Sequence, residues 1–456
     1  MARLFGTDGV RGVANVDLTC EMAYRLGQAA VAFMGATVVL GKDTRKSGDM
    51  LEAAVVAGIT SAGGDALLAG VIPTPAVALL TRELHADGGI VISASHNPPE
   101  YNGIKFFDGQ GFKLPDAVED EIEKFIVEGG LEGVVARAVE AGEEASMPAG
   151  SMVGVAVEIE DACEMYIDHV VKSIQAQGID FSGLHVALDT GHGASSLTSA
   201  EALRRLGAEV TVINDDFDGN DINVECGSTH LGPLAELLAE SGADVGIAHD
   251  GDADRVMMLA ADGSEIDGDV MEAVLAIDLK ARGCLPGNVA VSTVMTNLGF
   301  VHAMREAGIE VLQTKVGDRY VLEAMREGGY ALGGEQSGHM ILLEHNSTGD
   351  GLMTACQFLA AVRRSGKPVE EAIKVMTRFP QTLINVRVQD KHALEGNEAI
   401  WGAVRAAEEA MGDAGRVLVR TSGTEPLVRV MVEAETQDVA DSHARAIADV
   451  VEAELA

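Results

Sequence analysis

Apolar and polar positions alternate between two periods along most of the chain. Thr37–Leu40, Ala66–Val71 and Gly89–Ile92 are short apolar runs bounded by turn residues, of strand length. Glu21–Phe33 and Met50–Ala62 carry their apolar residues at helical spacing instead. This β-α-β-α-β rhythm predicts a largely parallel sheet with covering helices. It recurs with strands at His185–Asp189, Glu209–Ile213 and Asp244–Ala248, and again with strands at Val289–Ser292 and Val311–Thr314. The last segment differs, with strands at Leu383–Val388, Arg416–Arg420 and Leu427–Glu433, a helix after Glu395 and a closing helix. The expected fold class is α/β: three related α/β domains with mixed, largely parallel sheets plus a C-terminal α+β domain, arranged around a central cleft. The domains are expected at 1–155, 156–252, 253–372 and 373–456. Residues 127–156, rich in Gly, Ala and Glu, read as a connector.

A chain of 456 residues is too long for one core, which agrees with several domains. Its 33 basic residues face 71 acidic ones, a formal −38, so its field repels nucleic acid and anionic membrane surfaces. No apolar run is long enough to span a bilayer, and the first residues lack the apolar core of a signal peptide. Five widely spaced cysteines without a CxxC pair point to reduced thiols and a cytoplasmic setting. An anionic ligand would have to be met by local cations or by a metal.

The run Gly89–Ile92 delivers Ser95, His96 and Asn97 into a loop stopped by Pro98, at the carboxyl end of a predicted strand. Serine and asparagine before proline also make an ordinary turn. Asp250, Asp252 and Asp254 alternate with the small residues Gly251 and Ala253 directly after a predicted strand. Close like charges repel unless a cation sits among them. A calcium loop of the EF-hand kind would need glycine where Arg255 stands and glutamate where Ala261 stands. Without His or Cys beside it, zinc fits poorly and magnesium fits best. An acidic surface turn is the structural alternative.

Three further stretches combine polar groups with flexible backbone. Arg420-Thr421-Ser422-Gly423-Thr424-Glu425-Pro426, with Arg429 behind it, has the hydroxyls, amides and guanidinium groups that a phosphate dianion needs, or is a polar hairpin loop. Gly334-Glu335-Gln336-Ser337-Gly338-His339 suits sugar hydroxyls, although a lone histidine after glycine is usually a turn or core residue. Phe5 to Gly12 puts Arg11 into a glycine-rich loop, and Asn102-Gly103-Ile104-Lys105 reads as a turn leading into a strand.

Taken together, FGTDGVRG (5–12), SASHNP (93–98), NGIKFF (102–107), DGDADR (250–255), GEQSGH (334–339) and TSGTEPLVRV (421–430) resemble the α-D-phosphohexomutase superfamily over essentially the whole chain. By Gln336 and FGTDGVRG the chain is most similar to the bacterial members acting on glucosamine phosphate. The resemblance implies interconversion of glucosamine 6-phosphate and glucosamine 1-phosphate through a phosphoserine at Ser95 and a glucosamine 1,6-bisphosphate intermediate. It implies one Mg²⁺ per chain, held by Asp250, Asp252, Asp254 and an oxygen on Ser95. Arg11, His96, Lys105, Arg255 and His339 would surround the reacting centre, with Lys105 and His339 as proton-transfer candidates. Glu335 and Ser337 would take sugar hydroxyls, and Arg420, Ser422, Gly423, Thr424 and Arg429 the distal phosphate. The partner would be a small sugar phosphate, in a monomer or a homodimer. A phosphomannomutase or phosphoglucomutase of the same superfamily is one alternative, a Mg²⁺-dependent phosphatase with Asp250 as nucleophile another, and a non-enzymatic sugar-phosphate sensor a third.

Overall fold

The computed structural model describes residues 4–6, 8–422 and 426–456. The chain forms two compact units, Met1–Met295 with Ile309–Lys374, and Thr296–Gly308 with Val375–Ala456.

The first unit holds three sheets. The first contains β1 (Phe5–Gly6), β2 (Gly9–Val13), β3 (Thr37–Lys42), β4 (Asp65–Val71), β5 (Gly88–Ile92), β6 (Tyr101–Asp108) and β7 (Ala156–Glu158), in the order β1-β2-β6-β5-β3-β4-β7. The second contains β8 (His185–Asp189), β9 (Glu209–Ile213), β10 (Val245–His249), β11 (Val256–Ala260) and β12 (Glu265–Ile266), in the order β12-β11-β10-β8-β9. The third contains β13 (Val289–Thr293), β14 (Glu310–Thr314), β15 (Leu332–Gly334) and β16 (Met340–Leu342), in the order β14-β13-β15-β16.

One four-strand pattern recurs in all three. A first strand (β3, β8 or β13) pairs in parallel with two others, and one of those (β5, β10 or β15) turns back into an antiparallel neighbour (β6, β11 or β16). The sheets are therefore mixed, as expected. β5 and β10 are buried along their whole length, which is why they read as continuous apolar runs. Around the first sheet, Val38, Leu40, Ile90 and Ile92 pack with Leu26, Leu51, Val55 and Ile59 of the helices Cys20–Phe33 and Gly48–Ser61. Each fully buried side chain of this size is worth about 1.5–3 kcal/mol.

The second unit has one antiparallel sheet, β17 (Gln381–Arg387), β18 (Gly415–Thr421) and β19 (Leu427–Ala434), in the order β17-β19-β18. The helices Glu398–Met411 and Gln437–Leu455 share its core, through Ile400, Val404, Ile447 and Val451 against Val428, Val430 and Val432.

Three details depart from the sequence reading. β11 and β12 hydrogen-bond into the second sheet, so that sheet runs on to Ile266 and past the junction expected at 252/253. β7 pairs with β4, so the first sheet continues past residue 155. Within the expected connector, Gly130–Glu140 is helical: Leu131, Val134, Val135 and Val139 lie at helical spacing, but little of this helix is buried and its composition hides it.

Candidate active site

The tips of the three recurrent hairpins carry the singled-out residues. Ser93 to Glu100 joins β5 to β6, Asp250 to Arg255 joins β10 to β11, and Glu335 to His339 joins β15 to β16. All three tips lie at the carboxyl ends of parallel strands, where open α/β sheets place their chemistry.

Ser95 is fully buried and sits in the left-handed region at φ 52°, a conformation uncommon for any residue with a Cβ. Its Oγ donates to Asp250 Oδ2 at 2.6 Å and lies 3.3 Å from His96 Nδ1. Ser93 differs: its Oγ accepts from the Ser95 amide at 2.9 Å and donates to Asp43 Oδ2 at 2.6 Å. The hydroxyl aimed at the aspartates is that of Ser95. Gly251 makes the approach feasible, since a Cβ there would stand 2.7 Å from the Ser95 carbonyl oxygen.

Asp250, Asp252 and Asp254 are buried, and each offers a carboxylate oxygen within 4.8 Å of the others. Ala253 supplies the inward curl at φ 56°, with its amide donating to the Asp250 carbonyl at 3.0 Å. Asp250 spends both oxygens, on Ser95 Oγ and on the Arg255 amide at 3.1 Å. Asp252 Oδ2 accepts from Thr74 Oγ1 at 2.6 Å and Lys105 Nζ at 2.8 Å. Asp252 Oδ1 and Asp254 Oδ1 are buried without a hydrogen-bond partner. Burial, then the charges of Asp254 and Asp252, push the Asp250 carboxyl far above its ordinary range. Orphaned hard oxygens beside mutually repelling carboxylates are the donor set of a hard divalent cation.

A shell of cations closes round the triad. Buried Lys105 on β6 pairs with Asp252, with Asp8 at 2.9 Å and with Asp254 at 3.6 Å. Burial alone would lower the Lys105 pKa, but the three carboxylates overcome it and hold the ammonium charged. Asp8 also pairs with Arg11 and Lys113, and Lys113 reaches Asp318. Arg255 Nη1 donates to His96 Nδ1 at 2.9 Å. Burial, then the positive charges of Arg255 and Arg11, push His96 down to about 4, so its ring is neutral at pH 7.

His339 lies between two carboxylates, with Nδ1 3.6 Å from Asp254 and Nε2 3.5 Å from Asp318. These charges outweigh burial and raise its pKa. The second and third sheets meet here: Arg255 bridges His339, and the Val256 amide donates to the Gly338 carbonyl at 3.2 Å. Glu335 Oε1 accepts from the Gly317 amide at 3.1 Å, and Ser337 is exposed.

In the second unit, Arg420 on β18 and Arg429 on β19 are cross-strand partners, and Lys391 Nζ donates to the Ser422 carbonyl at 2.8 Å. Burial and the Arg429 charge lower the Arg420 pKa. Gly423 and Thr424 lie outside the described residues.

Four family models match in chain order: phosphoglucomutase/phosphomannomutase α/β/α domain I over residues 2–131, domain II over 164–263, domain III over 267–379, and the C-terminal domain over 383–450. The chain belongs to the phosphoglucomutase/phosphomannomutase family. It is 51% identical to the phosphoglucosamine mutase of Thermobifida fusca, over 100% of this chain and 99% of that one. It is 47% identical to that of Alkaliphilus metalliredigens over the full length of both. Among solved structures it is similar to a phosphoglucomutase/phosphomannomutase family protein from Burkholderia thailandensis, with a TM-score of 0.78 and 25% identity over 99% of this chain and 97% of that one. The N-acetylphosphoglucosamine mutase of Aspergillus fumigatus, solved with GlcNAc-6P and magnesium, shares the fold at a TM-score of 0.69 and 18% identity, over 99% of this chain and 95% of that one.

Within this phosphoglucomutase/phosphomannomutase frame, the sequence reading missed the residues that support its site. Asp8, Lys113 and Asp318 extend the charge shell, and Asp43, Arg45 and Asn223 hold the serine loop. Arg45 had one visible signal, a cation in a polar loop after a strand, shared with many surface loops. Asn102 lies inside β6 rather than in a turn ahead of it, with its Nδ2 donating to Ser47 Oγ at 2.9 Å.

Proposed function

We propose that the chain is a phosphoglucosamine mutase, converting glucosamine 6-phosphate to glucosamine 1-phosphate with Ser95 as the phosphate carrier. The observation that carries this reading is the buried Ser95 hydroxyl 2.6 Å from Asp250, at the edge of a carboxylate triad with orphaned oxygens. The narrower substrate assignment is supported by full-length relatives at 47–51% identity that bear this name.

Mg²⁺ suits the donor set of Asp250, Asp252 and Asp254 with an oxygen on Ser95, and when bound supplies charge neutralisation at the transferring phosphoryl group. In the first transfer the bond from phosphorus to Ser95 Oγ breaks and one to the sugar O1 forms, giving the 1,6-bisphosphate. Net, one proton passes from the sugar hydroxyl to Ser95 Oγ. Lys105 and His339, which border the triad, are assigned to that proton transfer. In the second transfer the 6-phosphoryl group returns to Ser95, releasing glucosamine 1-phosphate.

Arg11, Lys105 and Arg255 offset charge that would otherwise bar a dianion from so acidic a protein. Arg420, Ser422, Gly423, Thr424 and Arg429 are assigned to the distal phosphate, and Glu335 and Ser337 to sugar hydroxyls. Binding energy far from the reacting atoms then orients the sugar.

The test pairs mass spectrometry of the Ser95 peptide with turnover on glucosamine, glucose and mannose phosphates, each with its bisphosphate. Phosphate on Ser95 and preference for glucosamine phosphate are expected. Phosphate on Ser93, or an active Ser95→Ala enzyme, overturns the carrier assignment, and preference for mannose or glucose phosphate overturns the substrate.

A further inference from the structure

Ser95 needs its backbone fixed as well as its hydroxyl aimed. A serine in the left-handed region is strained and keeps that conformation only where its surroundings impose it. Both of its backbone groups are held by side chains. The amide donates to Ser93 Oγ, and the carbonyl accepts from Arg45 Nη2 at 2.9 Å and from Asn223 Nδ2 at 2.8 Å.

Arg45 is the larger part of this clamp. Its side chain is fully buried, and every one of its five side-chain N–H groups is used. Nη2 also reaches the Asn97 carbonyl at 2.7 Å, Nη1 donates to the Pro98 carbonyl and to that of Tyr101 at 2.9 Å, and Nε donates to Asp43 Oδ2 at 2.9 Å. The fork thus grips four carbonyls along the loop from Ser95 to Tyr101. Asp43 orients the fork and also Ser93, the residue holding the Ser95 amide. One carboxylate therefore sets both ends of the Ser95 peptide frame.

Saturation decides what kind of role this is. Arg11 and Arg255 each keep an Nε without a hydrogen-bond partner, whereas Arg45 has no donor left for a phosphate. Its charge is matched at contact distance by Asp43. We propose that Asp43 and Arg45 are positioning residues that hold Ser95 in its left-handed conformation, so that its Oγ meets the aspartate triad. This rests on the reading of Ser95 as the phosphate carrier. Lysine cannot replace the fork, having three donors on one atom instead of five in a plane.

The experiment uses the full-length Arg45→Lys, Arg45→Met and Asp43→Asn enzymes beside Ser95→Ala. The readouts are kcat and KM for glucosamine 6-phosphate, phosphate on Ser95 after incubation with the bisphosphate, and thermal midpoint. A displacement of the serine by about 1 Å is expected to lower kcat about 10²-fold in the Arg45 variants, with KM unchanged and Ser95 phosphorylation slowed in parallel. Added guanidinium ion is expected to recover part of the activity of Arg45→Met and none of that of Ser95→Ala. The proposal is overturned if Arg45→Lys keeps wild-type kcat, if KM rises while kcat holds, or if every variant loses its folding transition, which makes the pair a fold determinant only. An active Ser95→Ala instead sinks the carrier reading itself, and so separates the two failures.

Discussion

Arg420 and Arg429 stand directly opposite each other on neighbouring strands, both partly buried. Like charges placed so repel each other. On the proposed assignment of this pair to the distal phosphate, inorganic phosphate is expected to raise the thermal midpoint of the second unit, and Arg429→Gln to abolish that rise. The same substitution is expected to raise KM for the sugar phosphate roughly tenfold or more, since a charge-assisted hydrogen bond is worth about 1.5–3 kcal/mol. Calorimetry with and without phosphate, and steady-state kinetics, check both.

The triad gives a second prediction, read through stability. Mg²⁺ binding to the folded chain is expected to add about 2.7 kcal/mol at one hundred times its dissociation constant. Replacing Asp252 and Asp254 together by Asn should erase this increment, while leaving phosphate-induced stabilisation of the second unit intact. A double variant that still responds fully to Mg²⁺ would place the metal elsewhere.

Gly338 offers a third. Its φ is 87°, and a Cβ there would stand 2.0 Å from the Val256 carbonyl oxygen. Gly338→Ala should therefore lose more than about 1 kcal/mol of stability and displace His339 from Asp254. Denaturant unfolding and kcat measure the two effects, and wild-type values for both contradict the prediction.

Glu272, fully buried on the helix Gly268–Ala281, supplies a pH prediction. Burial, then the charge of Asp269, raises its carboxyl well above the ordinary range. Its proton is bound more tightly in the folded state, so its contribution is fully present below the unfolded pKa and is lost as pH rises toward the folded value. Glu272→Gln removes that loss. It should be more stable than the parent at pH 7, and the difference should shrink toward pH 4, as denaturant midpoints at both pH values would show.

The hairpin tips were legible because apolar strands announce where a loop begins, and because Asp250, Asp252 and Asp254 are neighbours in sequence. The support behind them was not. Arg45 reads as any loop cation until the chain brings four carbonyls round it, and nothing in the sequence separates Ser93 from Ser95 except motif resemblance. In the structure their hydroxyls diverge, one spent on the loop and one facing the aspartates. The 252/253 junction failed for a related reason: the metal-loop motif looks like an end, whereas β11 turns back beside β10 and keeps that motif at mid-sheet.

The recurrence of one hairpin in three sheets means that the serine, the aspartates and the Glu335–His339 tip each sit on a hairpin of their own. On the proposed assignment of Glu335 and Ser337 to sugar hydroxyls, changes at residues 335–337 would retune which sugar is taken, whereas Gly338 is fixed by its close approach to Val256 of the neighbouring hairpin.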